Sequence, residues 1–209
     1  MKPQEYYESE RSDMLKYIPA QVQTTLEFGC GLGAFSALLK AQRAVESWAV
    51  EINPTVAREA ARRLDKVICM DAQAALAEIP ERHFDCIIFF DILEHLVDPY
   101  SLLLAVKSKL TSTGVVVASI PNVRFYRAFL KFVVHGDWRY EDQGIMDRTH
   151  LRFFTHKSIA DTFARLGYRI LTLEGIHPTT SRTYRLLNAV LLNALWDVRY
   201  KHFAVVASP

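Results

Sequence analysis

The chain has 209 residues, 50% of them apolar, 23% charged and 11% aromatic, the balance of a globular protein with a full core. Disordered, collagen-like and low-complexity classes are excluded. Lys+Arg at 25 against Asp+Glu at 23 gives a net charge of +2, too even for the basic footprint of a nucleic-acid binder, so no nucleic-acid partner is expected.

Taken in chain order, apolar runs of strand length alternate with segments of helical period. Val22 to Glu27 is predicted as a strand, Ala34 to Ala41 as a helix, Ser47 to Glu51 as a strand, and Pro54 to Leu64 as a helix opened by its proline. Val67 to Met70 follows as a strand, Ala72 to Glu78 as a helix, Phe84 to Phe90 as a buried strand, Pro99 to Leu110 as a helix and Val115 to Ile120 as a strand. Lys157 to Leu166 is predicted helical with a cap near Ser158, and Tyr168 to Glu174 and His202 to Ala207 are strands. Strands alternating with helices imply βαβ units, hence an α/β, doubly wound, Rossmann-like architecture with a mainly parallel sheet. Asn122 to Thr155 and Ile176 to Tyr200 break the rhythm and are insertions on a single domain spanning 1–209.

Cys30, Cys69 and Cys86 are odd in number and form no C-x-x-C pair, which points to a reducing compartment. The N-terminal MKPQEYYESERSDML carries no signal-peptide core, and the longest apolar stretch, Leu186 to Trp196, is about half a membrane span. A cytoplasmic protein with no transmembrane segment is expected.

The first strand ends in Glu27-Phe28-Gly29-Cys30-Gly31-Leu32-Gly33 and enters a helix. Glycines there permit a tight turn and close approach of a ligand to the backbone, while the helix start offers unpaired N–H groups. The alternative is a plain strand-to-helix turn. Glu51 closes the second strand, 20 residues beyond Gly31, where a carboxylate can accept both hydroxyls of a ribose. Asp71-Ala72 ends the third strand; the acid can receive an adenine amino group beside a small residue, or simply cap the next helix. The fourth strand ends in Phe89-Phe90-Asp91-Ile92-Leu93-Glu94-His95. All four ends fall on one rim, the ligand-binding edge of open α/β sheets.

In this order the residues resemble the class I S-adenosylmethionine-dependent methyltransferases. LEFGCGLG is similar to their glycine motif, Glu51 to their ribose-binding acid, Asp71-Ala72 to their adenine contact, and FDCIIFFDILEHLVDP to the strand-four motif of the small-molecule branch. Gly136 to Tyr140 and Gly144 to Thr155 further resemble bacterial enzymes related to the ubiquinone-biosynthesis O-methyltransferases and those of polysaccharide clusters. The resemblance implies a seven-stranded sheet with an antiparallel last strand, a helical lid and S-adenosylmethionine as cofactor. It implies cofactor contacts at Glu27, Gly29, Cys30, Gly31 and Phe35, at Glu51 and Ile52, at Asp71 and Ala72, and at Asp91 and Ile92. Tyr6, Tyr7 and Arg11 are placed to close over the cofactor, with Arg11 facing the methionine carboxylate or lying on a solvated helix. The long apolar Ile176 to Tyr200 segment departs from the family pattern.

Methyl transfer is an in-line displacement in which alignment and exclusion of water matter more than a nucleophilic side chain. A hydroxyl acceptor also loses a proton, and His95 is the first candidate base, His150 the second. Both histidines have structural alternatives, as loop-orienting groups or hydrogen-bonders. The aromatic and cationic run Asn122 to Phe132 serves as a lid gripping a small-molecule, glycan or lipid-linked acceptor with Trp138 and Tyr140, or as a packed amphipathic helix. The apolar middle of Arg182 to Lys201 suits a homodimer contact or packing on its own domain, ahead of a membrane surface. The seven histidines show no metal-ligand spacing in sequence, so no metal is expected. Two other classes share features of the chain: a nicotinamide-dependent oxidoreductase, disfavoured by G-x-G-x-G in place of G-x-G-x-x-G, and a cofactor-binding module without catalysis.

Overall fold

The apolar runs become seven strands of one sheet in the computed structural model, which describes residues 11–209; Tyr6 and Tyr7 lie outside the described residues. The strands are β1 (Thr24–Phe28), β2 (Glu46–Val50), β3 (Lys66–Ile68), β4 (Phe84–Phe90), β5 (Leu110–Pro121), β6 (Arg169–Pro178) and β7 (Tyr200–Ser208). Their order is β3-β2-β1-β4-β5-β7-β6. The pairs among β1 to β5 are parallel, and β7 runs antiparallel to both β5 and β6, the expected topology. The α-helices are α1 (Ala34–Gln42), α2 (Pro54–Ala60), α3 (Pro99–Ala105), α4 (Tyr126–His135), α5 (His156–Arg165) and α6 (Arg182–Val190).

Side chains alternate across the sheet and load both faces. Along β4, Ile87 and Phe89 join one core with Leu102 and Leu103 of α3 and Ile159 and Phe163 of α5. Cys86, Ile88 and Phe90 point to the other, closed by Phe35 and Leu39 of α1 and by Met14 and Tyr17 of the 3-10 turn Ser12–Tyr17. Local signals start the helices as expected: Asn53 accepts from Thr55 and Val56 N–H ahead of Pro54, and Asp98 accepts from Tyr100 and Ser101 N–H ahead of Pro99. At α5 the cap is Thr155, whose hydroxyl takes the Ser158 N–H while Ser158 Oγ receives the Thr155 N–H.

Some boundaries move for tertiary reasons. The helix expected over Ala72 to Glu78 is one 3-10 turn, Ala74–Ala77, stopped ahead of Pro80. The helix expected to reach Leu110 gives way after Ala105 to a 3-10 turn, Val106–Lys109, because the carbonyls of Ser108 and Lys109 accept the Arg82 and His83 N–H groups that lead into β4. β6 runs on to Pro178, inside the segment expected as an insertion, because Tyr200 opens β7 opposite it. The apolar run that follows is helical only to Val190. Packing on its own domain does not cover it, since Leu186, Val190 and Leu192 are 71%, 70% and 91% exposed.

The register sets Ile68, Val50, Phe28, Phe89 and Ala118 side by side at the carboxyl ends of β3, β2, β1, β4 and β5. Because β7 is reversed, its beginning meets the same rim, with His202 opposite Pro121 and Ile176.

Candidate functional site

At the end of β1 the chain turns through Gly29, Gly31 and Gly33 at φ of 70°, 55° and 73°, a conformation costly for any residue with a Cβ. At Gly29 a Cβ would stand 2.6 Å from Ile92 Cδ1, so the turn is also pressed against the loop after β4. The turn delivers α1 with Gly33 as its N-cap and no side-chain cap, unlike α2, α3 and α5. Its first N–H groups therefore face the rim.

Glu51 is buried at the end of β2, its Oε2 accepting the Gly31 N–H at 3.1 Å and its Oε1 the Asn53 N–H at 2.9 Å. These bonds aim one carboxylate at the glycine turn and leave each oxygen a further lone pair, as two ribose hydroxyls require. Glu27 is buried beneath the turn with Ser36 Oγ donating to it at 2.6 Å, and burial raises its pKa to about 7. Asp71 does what a capping acid does: its Oδ1 accepts from Gln73 N–H at 2.8 Å and Ala74 N–H at 3.3 Å, with Ala72 buried beside it. Ile52 is exposed on the rim and Ile92 lies over Gly29.

Two expected contacts fall differently. Phe35 is in the core, edge-on to Phe90 at 4.7 Å. Cys30 packs its side chain among Ala49, Ala60 and Leu64, and burial pushes its thiol pKa up. At position 30 it is the backbone that remains on the turn.

Asp91 stands at the end of β4 with φ of 51°. Its Oδ1 accepts from Ser119 Oγ at 2.8 Å, and its Oδ2 is paired with Arg11 Nη1. Arg11 lies 5.6 Å over the Phe90 ring, and its buried Nη2 has no hydrogen-bond partner among the described residues. The guanidinium is thus held at the end of β4 by Asp91 and Phe90, with a donor that could meet an anion there. His202 Nε2 is 3.7 Å from Asp91 Oδ1, and its Nδ1 is 3.2 Å from His177 Nδ1. Burial holds the His202 pKa down to about 4. This His pair escapes a linear reading because only the reversal of β7 brings its first residues to the rim.

The loop after β4 is stitched to the first insertion: the Glu94 carbonyl accepts the Leu151 N–H at 2.8 Å and the Arg152 N–H at 3.0 Å. His95 and His150 are consequently in ring contact, centroids 4.7 Å apart. His95 Nδ1 lies 3.1 Å from the Thr149 carbonyl oxygen, and His150 Nδ1 lies 3.0 Å from that of Ile145. Glu94 is buried below them with Oε1 3.9 Å from His150 Nε2. Burial, then the neighbouring Asp91, raises the Glu94 pKa well above the carboxylate range. Burial, then His95, lowers that of His150. The sequence names no metal-ligand spacing, yet the fold brings the ligand atoms of Glu94, His95 and His150 within 4.8 Å of one another.

From this pair an aromatic wall runs outward: His150 to Phe153 at 6.3 Å, Phe153 to Trp138 at 5.3 Å and Trp138 to Phe132 of α4 at 5.6 Å. α4 buries no residue, so this insertion packs its aromatics on one another instead of into the core. Two open hollows, of about 580 and 710 Å³, lie elsewhere and are lined by none of these rim residues.

A family model described as Methyltransferase domain matches residues 3–173. Among solved structures, the chain is similar to a SAM-dependent methyltransferase from Archaeoglobus fulgidus, with a TM-score of 0.71 at 20% identity over 99% of this chain and 95% of that one. It is likewise similar to an S-adenosylmethionine-dependent methyltransferase from Mesorhizobium loti (TM-score 0.65, 17% identity, 96% and 98% covered) and to a SAM-dependent methyltransferase from Thermotoga maritima (0.66, 15%, 97% and 88%). No curated protein matches the sequence.

Proposed function

The chain belongs to the methyltransferase-domain family and its cofactor is S-adenosylmethionine; from that premise we propose that it moves the sulfonium methyl to a hydroxyl of a small molecule or glycan, carried or not on a lipid. The observation that carries the choice of oxygen is the meeting of His95 and His150 on the rim, at the inner end of the aromatic wall.

In this reading the N–H groups of the glycine turn and of α1 receive the cofactor, Glu51 takes the ribose hydroxyls, Asp71 and Ala72 border the adenine, and Arg11 holds the methionine carboxylate through Nη2. The acceptor lies along Phe153 and Trp138, whose faces suit a sugar or an aromatic ring. Its oxygen attacks the methyl carbon in line as the thioether leaves, and the hydroxyl proton passes to a neutral imidazole, His95 first. Half-exposed His95 reaches the acceptor, while buried His150 backs it. The exposed apolar residues of α6 support self-association through residues 176–200. No helix among the described residues is long and apolar enough to cross a membrane, and a cytoplasmic setting with a dissolved cofactor accords with the reading.

Calorimetric titration with S-adenosylhomocysteine, with NAD in parallel, tests it. Micromolar binding of the first alone, roughly −8 kcal/mol, is expected. Glu51→Ala should weaken that binding by about 1–3 kcal/mol through lost charge-assisted bonds. Equal binding by the variant would remove Glu51 from the site, and binding of NAD in place of the thioether would replace the reading with a redox one.

A further inference from the structure

We propose that the hollow of about 580 Å³ between the end of β6, α6 and the turn before β7 binds a phosphate or diphosphate group, and that this group belongs to the methyl acceptor. The binding stands on the hollow alone; its assignment to the acceptor rests on the methyltransferase reading.

The lining chooses the ligand. Arg185 of α6 and Arg199 of the 3-10 turn Trp196–Arg199 line the hollow with Thr179, Thr180, Asn188 and Asn193, and no Asp or Glu is among the lining residues. Between 176 and 201 the sequence sets Arg182, Arg185, Arg199 and Lys201 against Asp197 alone. That aspartate is buried and already taken, its Oδ2 3.1 Å from Arg124 Nη1. Among the described residues no carboxylate is ion-paired with Arg185 or Arg199. Two guanidinium groups facing one hollow without a counter-charge are matched by an anion. Their planar forks, with hydroxyl and amide donors beside them, suit a group with three or more oxygens, which a phosphate offers and a carboxylate does not.

The walls are braced by their own bonds. The Tyr184 hydroxyl donates to the Leu195 carbonyl at 2.8 Å, and Asn188 donates through Nδ2 to Asn193 Oδ1 at 2.6 Å while its Oδ1 accepts the Leu195 N–H at 3.0 Å. Across the hollow the Thr179 N–H donates to the Arg199 carbonyl at 2.8 Å, and the Arg199 guanidinium lies 5.0 Å over the Tyr200 ring. Arg185, Asn188 and Ala189 share one side of α6, whereas the exposed Leu186 and Val190 share the next, so a ligand here leaves the apolar side free.

Position ties the hollow to the acceptor. Pro178 lines it, and the preceding His177 touches His202, which stands beside Asp91 at the rim. On the other flank Arg127, then Thr179, lowers the pKa of the Tyr126 hydroxyl, which sets Thr179 against the start of α4. Six residues further along that helix, about 9 Å, Phe132 meets Trp138 of the aromatic wall. An acceptor laid along α4 has its ring on the wall and its phosphate among the arginines.

Calorimetric titration of the whole chain with pyrophosphate tests the site. One site per chain is expected, weaker at high salt and unchanged by saturating S-adenosylhomocysteine. Arg185→Gln and Arg199→Gln, both at exposed positions, should each weaken binding about tenfold or more. Arg82→Gln, in the second hollow at the other end of the sheet, should bind as the parent does. Equal binding by both arginine variants, or none by the parent, overturns the site, and displacement by S-adenosylhomocysteine moves the anion to Arg11. Vesicles of phosphatidylglycerol beside phosphatidylcholine identify the carrier. Binding to the first alone, reversed by pyrophosphate, means a lipid-borne phosphate, and no vesicle binding means a dissolved one; both keep the site. Pyrophosphate should also inhibit transfer of labelled methyl into a metabolite and lipid extract, and less so in Arg185→Gln. Full transfer in its presence, or none in its absence, removes the assignment to the acceptor. Failure of the parent to bind S-adenosylhomocysteine removes the methyltransferase reading and leaves the anion site standing.

Discussion

Glu27 is buried and His202 largely so, and they titrate in opposite senses, so their contributions to stability can be separated by pH. Glu27 has its pKa raised to about 7 in the folded chain; between the usual carboxyl value near ~4.5 and about 7 the folded state keeps a proton that the unfolded state has lost. Its contribution is therefore full at low pH and falls as pH rises through that interval, by about 3 kcal/mol. His202, held down to about 4, refuses a proton that the unfolded chain takes below ~6.5, so its contribution is full above that value and is lost as pH falls. Where the intervals overlap the slopes oppose each other. Urea unfolding from pH 5 to 7.5 should show stability rising with pH in Glu27→Gln and falling with pH in His202→Gln, relative to the parent. Parallel profiles in all three proteins would contradict the burial account of both groups.

Among the elements, the β6–β7 ribbon carries a tight cross-strand contact. A Cβ at Gly175 would stand 2.1 Å from Tyr200 Cγ, so the tyrosine ring lies directly on the glycine backbone. Tyr200 in turn packs near Trp196 and Phe203, at 6.4 and 6.2 Å between centroids. Gly175→Ala must push that ring away and should destabilise the fold by about 1–3 kcal/mol through overpacking. Coupling identifies the cause: in a Tyr200→Ala background the same substitution should cost much less. Additive losses in thermal melts would show that backbone freedom, not the ring, is what Gly175 supplies. The glycine turn after β1 differs, because there positive φ and the approach of Ile92 both demand glycine.

For the molecule as a whole, Asn122 ties the two insertions to the sheet. It is fully buried, its Nδ2 donates to the carbonyls of Asp197 at 2.8 Å and Tyr200 at 3.0 Å, and its Oδ1 accepts the Arg124 N–H at 3.0 Å. Its own N–H goes to the Lys201 carbonyl, and it bridges to Phe154. Asn122→Ala strands three backbone groups and should cost about 2–4 kcal/mol. Limited proteolysis should then open residues 122–155 and 176–200 together. Cleavage enhanced in only one of them would mean that the insertions are anchored independently.

The alternation of strand and helix, the glycine turn, Glu51 and the rim of strand ends are legible in the sequence because each depends on neighbours a few residues away or on a spacing within one βαβ unit. Pro54 and Pro99 mark helix starts for the same reason. What only the tertiary structure decided is which distant groups meet. The reversal of β7 carries His202 to Asp91, and the bonds from Leu151 and Arg152 to the Glu94 carbonyl bring His150 to His95 and Glu94. The early start of β5, the burial of Phe35 and the exposure of Leu186, Val190 and Leu192 likewise follow from what packs alongside. Local periodicity encodes which face of an element is apolar, whereas the pairing of groups far apart in the chain is set by long-range register and loop closure, for which a single sequence carries no spacing signal.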